Sequence, residues 1–264
     1  MKTDVPTSSD QVTAVKLPGP VARQVFRRSL ILQASWNDQR MQNLGLLATL
    51  APLLRHLDLD RNQLRQTCRR YYGFFNTNPY LASFVIGGLL RLENDMASGT
   101  AVPERMVTGF RDTLARACGS LGDQLFWLGL RPAVMLAACG MAVFWNWQAG
   151  LVPVVLFALG QLHFRRRGIN LGFSLGPEVV DVISRPLWHR AIAWARRAAL
   201  ALTGILAGFY FAGLLDQVPT LGPGPVIGCL VVGMGLPALV RQKASGESQL
   251  LLSLIFALGL ALLF

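Results

Sequence analysis

Gln33, Trp36, Asn37, Arg40 and Asn43 recur at intervals of three and four residues within 30–45. Read as a helix, that spacing puts them on one face. Amides and a guanidinium are planar groups that satisfy paired hydroxyls, and an indole covers the C–H face of a ring. The chemistry such a face suits is recognition of a polyhydroxylated ligand, with Gln33, Asn37 and Arg40 bonding and Trp36 stacking. Leu30, Ala34, Met41, Leu44 and Ala48 form an apolar stripe beside it. The same face also suits docking on a partner subunit, and a site between subunits would use it both ways.

Two further stretches point the same way. In 74–80, Pro79 disfavours helix at Asn78. A chain break is expected there, with Pro79 opening the next helix and Thr77 or Asn78 capping it. Such a break at membrane depth would turn backbone dipoles toward a ligand, which makes Asn76, Thr77 and Asn78 candidate binding residues. Capping alone also accounts for them. Glu93 follows on that helix; a carboxylate beside an apolar run is costly unless paired, and Arg91, two residues away, should face elsewhere. A helix end at the cytoplasmic surface would also explain it. In 119–132, Gly122 permits close approach and Asp123 could cap a following helix. Asp123, Phe126 and Trp127 share a side, and Arg131 precedes Pro132. Capping and packing explain these residues equally well.

The elements that must position these groups belong to a membrane protein. Of 264 residues 52% are hydrophobic and 15% charged, against roughly 25% charged in soluble domains. Mean hydropathy is +0.41. The net charge of +11 reads as basic segments flanking spans rather than as a nucleic-acid surface. Cys68, Cys118, Cys139 and Cys229 are widely spaced and read as unpaired small hydrophobes, and His56, His163 and His189 lack metal-ligand spacing. No catalytic set, metal cluster or cofactor motif emerges, and no cleavable signal peptide is visible.

Three regions are expected: a polar, disordered tail (1–18), a helical core region with short amphipathic or re-entrant helices (19–130), and a transmembrane helical region (131–264). The apolar runs at 44–54 and 81–90 are too short to cross a bilayer, which takes about 20 residues. The apolar stretch 133–162 is broken at Trp145-Asn146-Trp147-Gln148 and is read as two short helices forming a hairpin, a single tilted span being the alternative. Spans follow at 198–215, 223–240 and 250–264. The segment 163–197 carries seven arginines against Glu178 and Asp181, and reads as a cytoplasmic basic loop facing anionic lipid or an acidic partner. The segment 215–224 should then lie outside. With the hairpin, the N-terminal region is cytoplasmic as well.

Together these motifs resemble the IID component of the mannose-type (mannose/fructose/sorbose) phosphoenolpyruvate-dependent sugar phosphotransferase system. The run Arg-Ser-x-x-x-Gln-x-Ser-Trp-Asn-x-x-Arg-Met-Gln-Asn-x-Gly occupies 28–45 and ends at Gly45. Phe-Phe-Asn-Thr-x-Pro-Tyr occupies 74–80, Gly-Asp-x-x-Phe-Trp occupies 122–127, and Arg131-Pro132 follows. The resemblance implies an all-α integral membrane subunit of the bacterial cytoplasmic membrane. It implies a IIC partner sharing the sugar site, within a larger hetero-oligomer served by cytoplasmic IIA and IIB. Phosphoryl transfer would lie with those partners, so this subunit would be non-catalytic; the substrate would be a hexose or amino sugar. Three departures stand out: Asp38-Gln39 where Tyr-Glu is frequent, Ser120-Leu121 before Gly122, and no soluble insert between the last spans. The rival readings are a stand-alone secondary transporter, which predicts internal repeats not seen here, and a non-transporting scaffold or regulatory subunit that only stabilises a IIC partner.

Overall fold

A computed structural model describes residues 16–217, with side chains to 209. The described residues contain helices and no strands, only isolated bridges. In chain order the helices are α1 (Gly19–Ser29), α2 (Asn43–Leu54), α3 (Arg61–Tyr71), α4 (Ala82–Ala97), α5 (Glu104–Gly122), a π-helical stretch (Asp123–Leu130), α6 (Arg131–Phe144), α7 (Trp147–Leu175), α8 (Val179–Ile183) and α9 (Leu187–Gln217). The chain divides into two units between Leu202 and Thr203.

The core of the first unit is built around α4. From Ala82 to Leu90 every residue is buried. A 16-residue helix of this kind is too short for a span but can be sheathed by protein on all sides. α7 runs along it, with Phe84 meeting Phe164 edge-on at 5.6 Å, and Trp188 at the start of α9 meets Phe84 edge-on at 6.1 Å. α3 starts with a capping box, Asp60 accepting from Asn62 and Gln63 N–H groups.

α3 also supplies the partners of Glu93, which is 4% exposed. Arg70 forms an ion pair with its Oε1, and the Tyr71 hydroxyl donates to the same oxygen at 2.7 Å. Arg70 Nε reaches Glu104 at 3.2 Å, and Arg111 Nη1 donates to the Arg70 carbonyl at 2.6 Å. Arg91 faces elsewhere and pairs with Asp95. Burial, reinforced by the Glu93 carboxylate, holds the Tyr71 phenol well above its ordinary range. Burial would lower Arg70, but its pair with Glu93 outweighs this and leaves it raised.

Among the described residues three helical stretches are long and apolar enough to cross a membrane: Glu104–Phe144, Trp147–Ile183 and Leu187–Phe209. The first departs from expectation. Residues 104–144 form one continuous rod: the π-helical stretch joins α5 to α6 without a gap, and Pro132, at the second position of α6, does not end it. The boundary expected at 130/131 therefore falls inside a helix. The 133–162 stretch does break, at Trp145-Asn146, where Asn146 Oδ1 accepts from the Ala149 N–H at 2.9 Å and opens α7. α6 and α7 pack on each other as the hairpin arms, but the arms are long rather than short: α6 continues the rod from Glu104, and α7 runs for 29 residues. α7 then continues through Arg165–Arg167 to Leu175. The segment 163–197 is thus mostly helical rather than a loop: arginine is a good helix former, and the interruptions come instead at Gly176-Pro177 and 184–186. The spans expected at 223–240 and 250–264, and residues 1–15 of the polar tail, lie outside the described residues. Cys68, Cys118 and Cys139 are free.

Candidate functional site

The segment 30–45 is not the helix its spacing suggests. Turns occupy 31–35, and α2 begins only at Asn43. Asn37 and Met41 pair through both backbone groups, Asn37 N–H to Met41 O at 3.1 Å and Met41 N–H to Asn37 O at 2.8 Å. Met41 takes a φ of +55°. The Asn37 side chain drives this: its Oδ1 accepts from the Arg40 N–H at 2.8 Å, and its Nδ2 donates to Met41 O and Asn43 Oδ1. An asparagine that takes up local backbone groups competes with helix. The turn is then sewn to the second motif, with Gln42 N–H donating to Phe75 O at 2.8 Å and Asn43 Nδ2 to Tyr72 O at 2.9 Å.

Residues 74–80 form the break expected at Pro79. Asn78 Oδ1 accepts from the Tyr80 N–H at 3.0 Å and its carbonyl accepts from Ala82 N–H. One turn intervenes before the continuous helix starts at Ala82. Asn78 Nδ2 donates to Asp123 Oδ1 at 2.9 Å. Asp123 caps nothing: it lies within the continuous rod, and its carboxylate faces Asn78 instead. This approach requires Gly122, where a Cβ would collide with the Asn78 side chain, just as one at Gly45 would collide with the Leu32 carbonyl.

These contacts enclose an open pocket of about 420 Å³, within the roughly 300–1,000 Å³ of small-molecule sites. Gln33, Asn76, Thr77, Asn78 and Pro79 line one side, and Arg116, Asp123 and Trp127 the rod side. Trp127 is held between Arg131, whose guanidinium lies 4.4 Å over its ring, and Tyr80 at 5.6 Å. Tyr80 in turn meets Phe126 at 4.7 Å. Thr77 Oγ1 is buried and has no hydrogen-bond partner among the described residues.

The sequence-selected residues therefore separate into groups. Gln33, Asn76, Thr77 and Asn78 share the pocket with Asp123 and Trp127. Trp36, Asn37 and Arg40 do not line it: Trp36 is 52% exposed, Asn37 is committed to its own turn, and Arg40 lies 4.1 Å over the exposed Tyr72 ring. Glu93 belongs to the buried network around Arg70. Gln42 and Arg116 are pocket-lining residues that sequence reasoning passed over. Gln42 stood inside the motif it used, between Met41 and Asn43; Arg116 carried no signal beyond its charge. Among the described residues no three His, Cys, Asp or Glu side chains gather to hold a metal.

A sequence profile for the PTS system mannose/fructose/sorbose family IID component matches residues 17–215. The chain is similar to the mannose-specific EIID component of Escherichia coli strain K12, 33% identical over 174 residues. That alignment covers 66% of this chain and spans 62% of the relative's length. The sorbose-specific EIID component of Klebsiella pneumoniae is 27% identical over 239 residues, 90% of this chain and 84% of that protein. Two solved structures share the fold at 27% identity. One, described only as a membrane protein, has a TM-score of 0.71 and covers 94% of this chain and 97% of its own. The other, from the cryo-EM structure of the mannose transporter ManYZ with microcin E492, has a TM-score of 0.59 with 93% and 96% covered.

Proposed function

Because the chain belongs to the mannose/fructose/sorbose family of phosphotransferase-system IID components, we propose that it forms, with a IIC membrane subunit, the unit that binds a sugar and carries it across the membrane. It is a multi-pass protein of the bacterial inner membrane. In this reading a cytoplasmic IIB, charged by IIA, phosphorylates the sugar as it enters, and the four kinds of subunit assemble into a larger hetero-oligomer. The chain itself supplies binding and positioning groups, not a phosphoryl carrier.

The observation that carries the reading is the polar pocket where two of the sequence motifs and the π-helical stretch meet. Gln33 and Asn76 offer amides, Asp123 a carboxylate, Arg116 a guanidinium and Trp127 an aromatic face, a set suited to the paired hydroxyls and C–H face of a hexose or amino sugar. The buried, unpartnered Thr77 hydroxyl supplies a further group whose bond is still to be made. The exposed Trp36, Tyr72 and Phe74 are read as surface that meets the IIC subunit, aromatic residues being enriched in such interfaces.

The test is phosphoenolpyruvate-dependent sugar phosphorylation in membrane vesicles carrying the chain with its IIC and IIB partners. Gln33→Ala and Asn76→Ala are compared with wild type while co-purification of IIC is monitored. Losing one sugar hydrogen bond should lower apparent affinity by on the order of tenfold with the complex intact. Unchanged kinetics in both variants, with the complex intact, would favour the rival reading of a non-transporting scaffold. The commitment of Asn37 to its own turn gives that rival its one specific support, because it removes this residue from direct sugar contact.

A further inference from the structure

A second cavity, of about 700 Å³, lies between α1 and the far end of α7, away from the sugar pocket. Its walls are apolar, with Leu17, Ala22 and Phe26 facing Ile169 and Leu171, and its charged lining is entirely basic: Lys16, Arg23, Arg27, Arg166 and Arg167. No acidic residue lines it, and none of the five cations joins an ion pair among the described residues. The helix periodicity explains the arrangement. Val21, Val25 and Ser29 bury one face of α1, which leaves Arg23 and Arg27, four residues apart, on the opposite, exposed face, with Ala22 and Phe26 on the flank between. Like charges this close repel, so a bare cluster is unfavourable and an anion would relieve it.

The depth of the cavity is set by α7. Trp145 and Trp147 are exposed at the hairpin tip, as expected of residues at a membrane–water interface. Arg166 stands nineteen residues after Trp147, or about 28 Å along a helix, close to the roughly 30 Å of a hydrocarbon core. Between them Leu151, Val152, Val155, Leu156, Leu159 and Leu162 are exposed, an apolar surface made for acyl chains. The basic cavity thus falls at the opposite interface, where lipid phosphates lie.

We propose that this cavity binds one anionic phospholipid, with its phosphate among Arg23, Arg27, Arg166 and Arg167 and the start of an acyl chain against Phe26 and Leu171. Basic pockets beside spanning helices suit such headgroups, and apolar walls distinguish this one from a plain phosphate site. An acidic cytoplasmic protein is the competing occupant, but it would leave the apolar walls uncovered.

The test is native mass spectrometry of the full chain, in complex with its partner subunits, released from nanodiscs containing equal phosphatidylglycerol and phosphatidylcholine. Three variants are compared: R166Q/R167Q, F26A, and R61Q/R65Q, which removes equal charge from exposed α3. Wild type and R61Q/R65Q should retain phosphatidylglycerol selectively. R166Q/R167Q should weaken retention by on the order of tenfold or more, and F26A should weaken it measurably at unchanged charge. Thermal unfolding in neutral detergent checks that all variants are folded; a misfolded pair is replaced by the single variants R166Q and R167Q. Equal retention in wild type and R166Q/R167Q, or equal loss in R61Q/R65Q, would overturn the proposal. So would F26A behaving as wild type while glycerol phosphate displaces the lipid, which would mark a phosphate site, or the absence of any lipid selectivity in wild type.

Discussion

Gln42 grips the peptide groups of Thr77 from both sides: its Nε2 donates to the Thr77 carbonyl at 2.9 Å and its Oε1 accepts from the Thr77 N–H at 3.3 Å. Both residues are buried, and thirty-five positions separate them in sequence. One side chain thereby stands in for a strand partner across the break that carries the candidate site.

Replacing Gln42 by Leu removes that grip and leaves two buried backbone groups without partners. Each unmet group costs about 1–3 kcal/mol, so Q42L should lower the midpoint of thermal unfolding in detergent. Sugar phosphorylation should fall further than stability alone explains, since Asn76 and Asn78 flank Thr77. A wild-type unfolding midpoint in Q42L would contradict the account.

Glu93 and Arg70 are nearly sealed from solvent, with side chains 4% and 5% exposed. Breaking such a pair from one side costs about 3–5 kcal/mol, because the remaining charge stays buried. E93Q should therefore destabilise strongly, and R70M/Y71F/E93L, which also removes the buried hydroxyl that donates to Glu93, should recover much of the loss. Denaturant unfolding of the three proteins measures this; equal stability of E93Q and wild type would show that the pair contributes nothing.

Tyr71 predicts a pH dependence. An unfolded tyrosine ionises near pH 10 (about 10), whereas the folded one is held well above that by burial and by Glu93. The folded state then binds more protons than the unfolded state above that pH, so stability falls as pH rises. The contribution is fully present below about pH 10 and is lost on the way up to the folded value. Y71F should lose less stability than wild type between pH 9 and 11 when unfolding is followed in detergent. Parallel curves would show that Tyr71 is not the group responsible.

Gly122→Ala places a methyl group where the Asn78 side chain lies. Overpacking of this kind costs typically about 1–3 kcal/mol, and it must displace either the rod or the Asn78–Asp123 hydrogen bond. Sugar phosphorylation should drop in G122A, while the double variant G122A/N78G, which removes both the Cβ and the amide that the methyl meets, should regain stability. Failure of the second change to restore the unfolding midpoint would locate the strain elsewhere.

Much of this was legible in the sequence wherever one residue type dictates the local backbone. Pro79 marked a helix break, and the polar interruption at Trp145-Asn146-Trp147-Gln148 midway through an apolar stretch marked a hairpin, which the structure closes with Asn146 as the cap of α7. The segment 30–45 misled because its spacing fits a helix while Asn37 satisfies backbone groups that the helix would need. Periodicity records where side chains would fall, not whether the backbone can follow. The partners of Glu93 were hidden for a different reason: Arg70 and Tyr71 lie twenty-three and twenty-two positions away, and only the packing of α3 on α4 brings them together. The extent of α7 was masked by Arg165–Arg167. A charge cluster reads as a loop, yet arginine stems can lie along an apolar helix: Arg165 lays its guanidinium 4.7 Å over the Tyr80 ring while Arg166 and Arg167 stay exposed.

The π-helical stretch Asp123–Leu130 sets the angular phase between the two ends of the rod. Each residue advances an α-helix by about 100°, whereas i→i+5 bonding accommodates extra residues within the same ladder. Deleting a single residue from the regular helix that follows it, where no wide turn absorbs the change, would swing the rest of α6 by about 100° relative to α5. Trp127 and Asp123 could then no longer face Tyr80 and Asn78 while Ala133 and Gly140 kept their buried positions. Length changes in this rod act as a gear slipping a tooth: the pocket wall and the membrane-facing half are meshed, and neither can be re-indexed without the other.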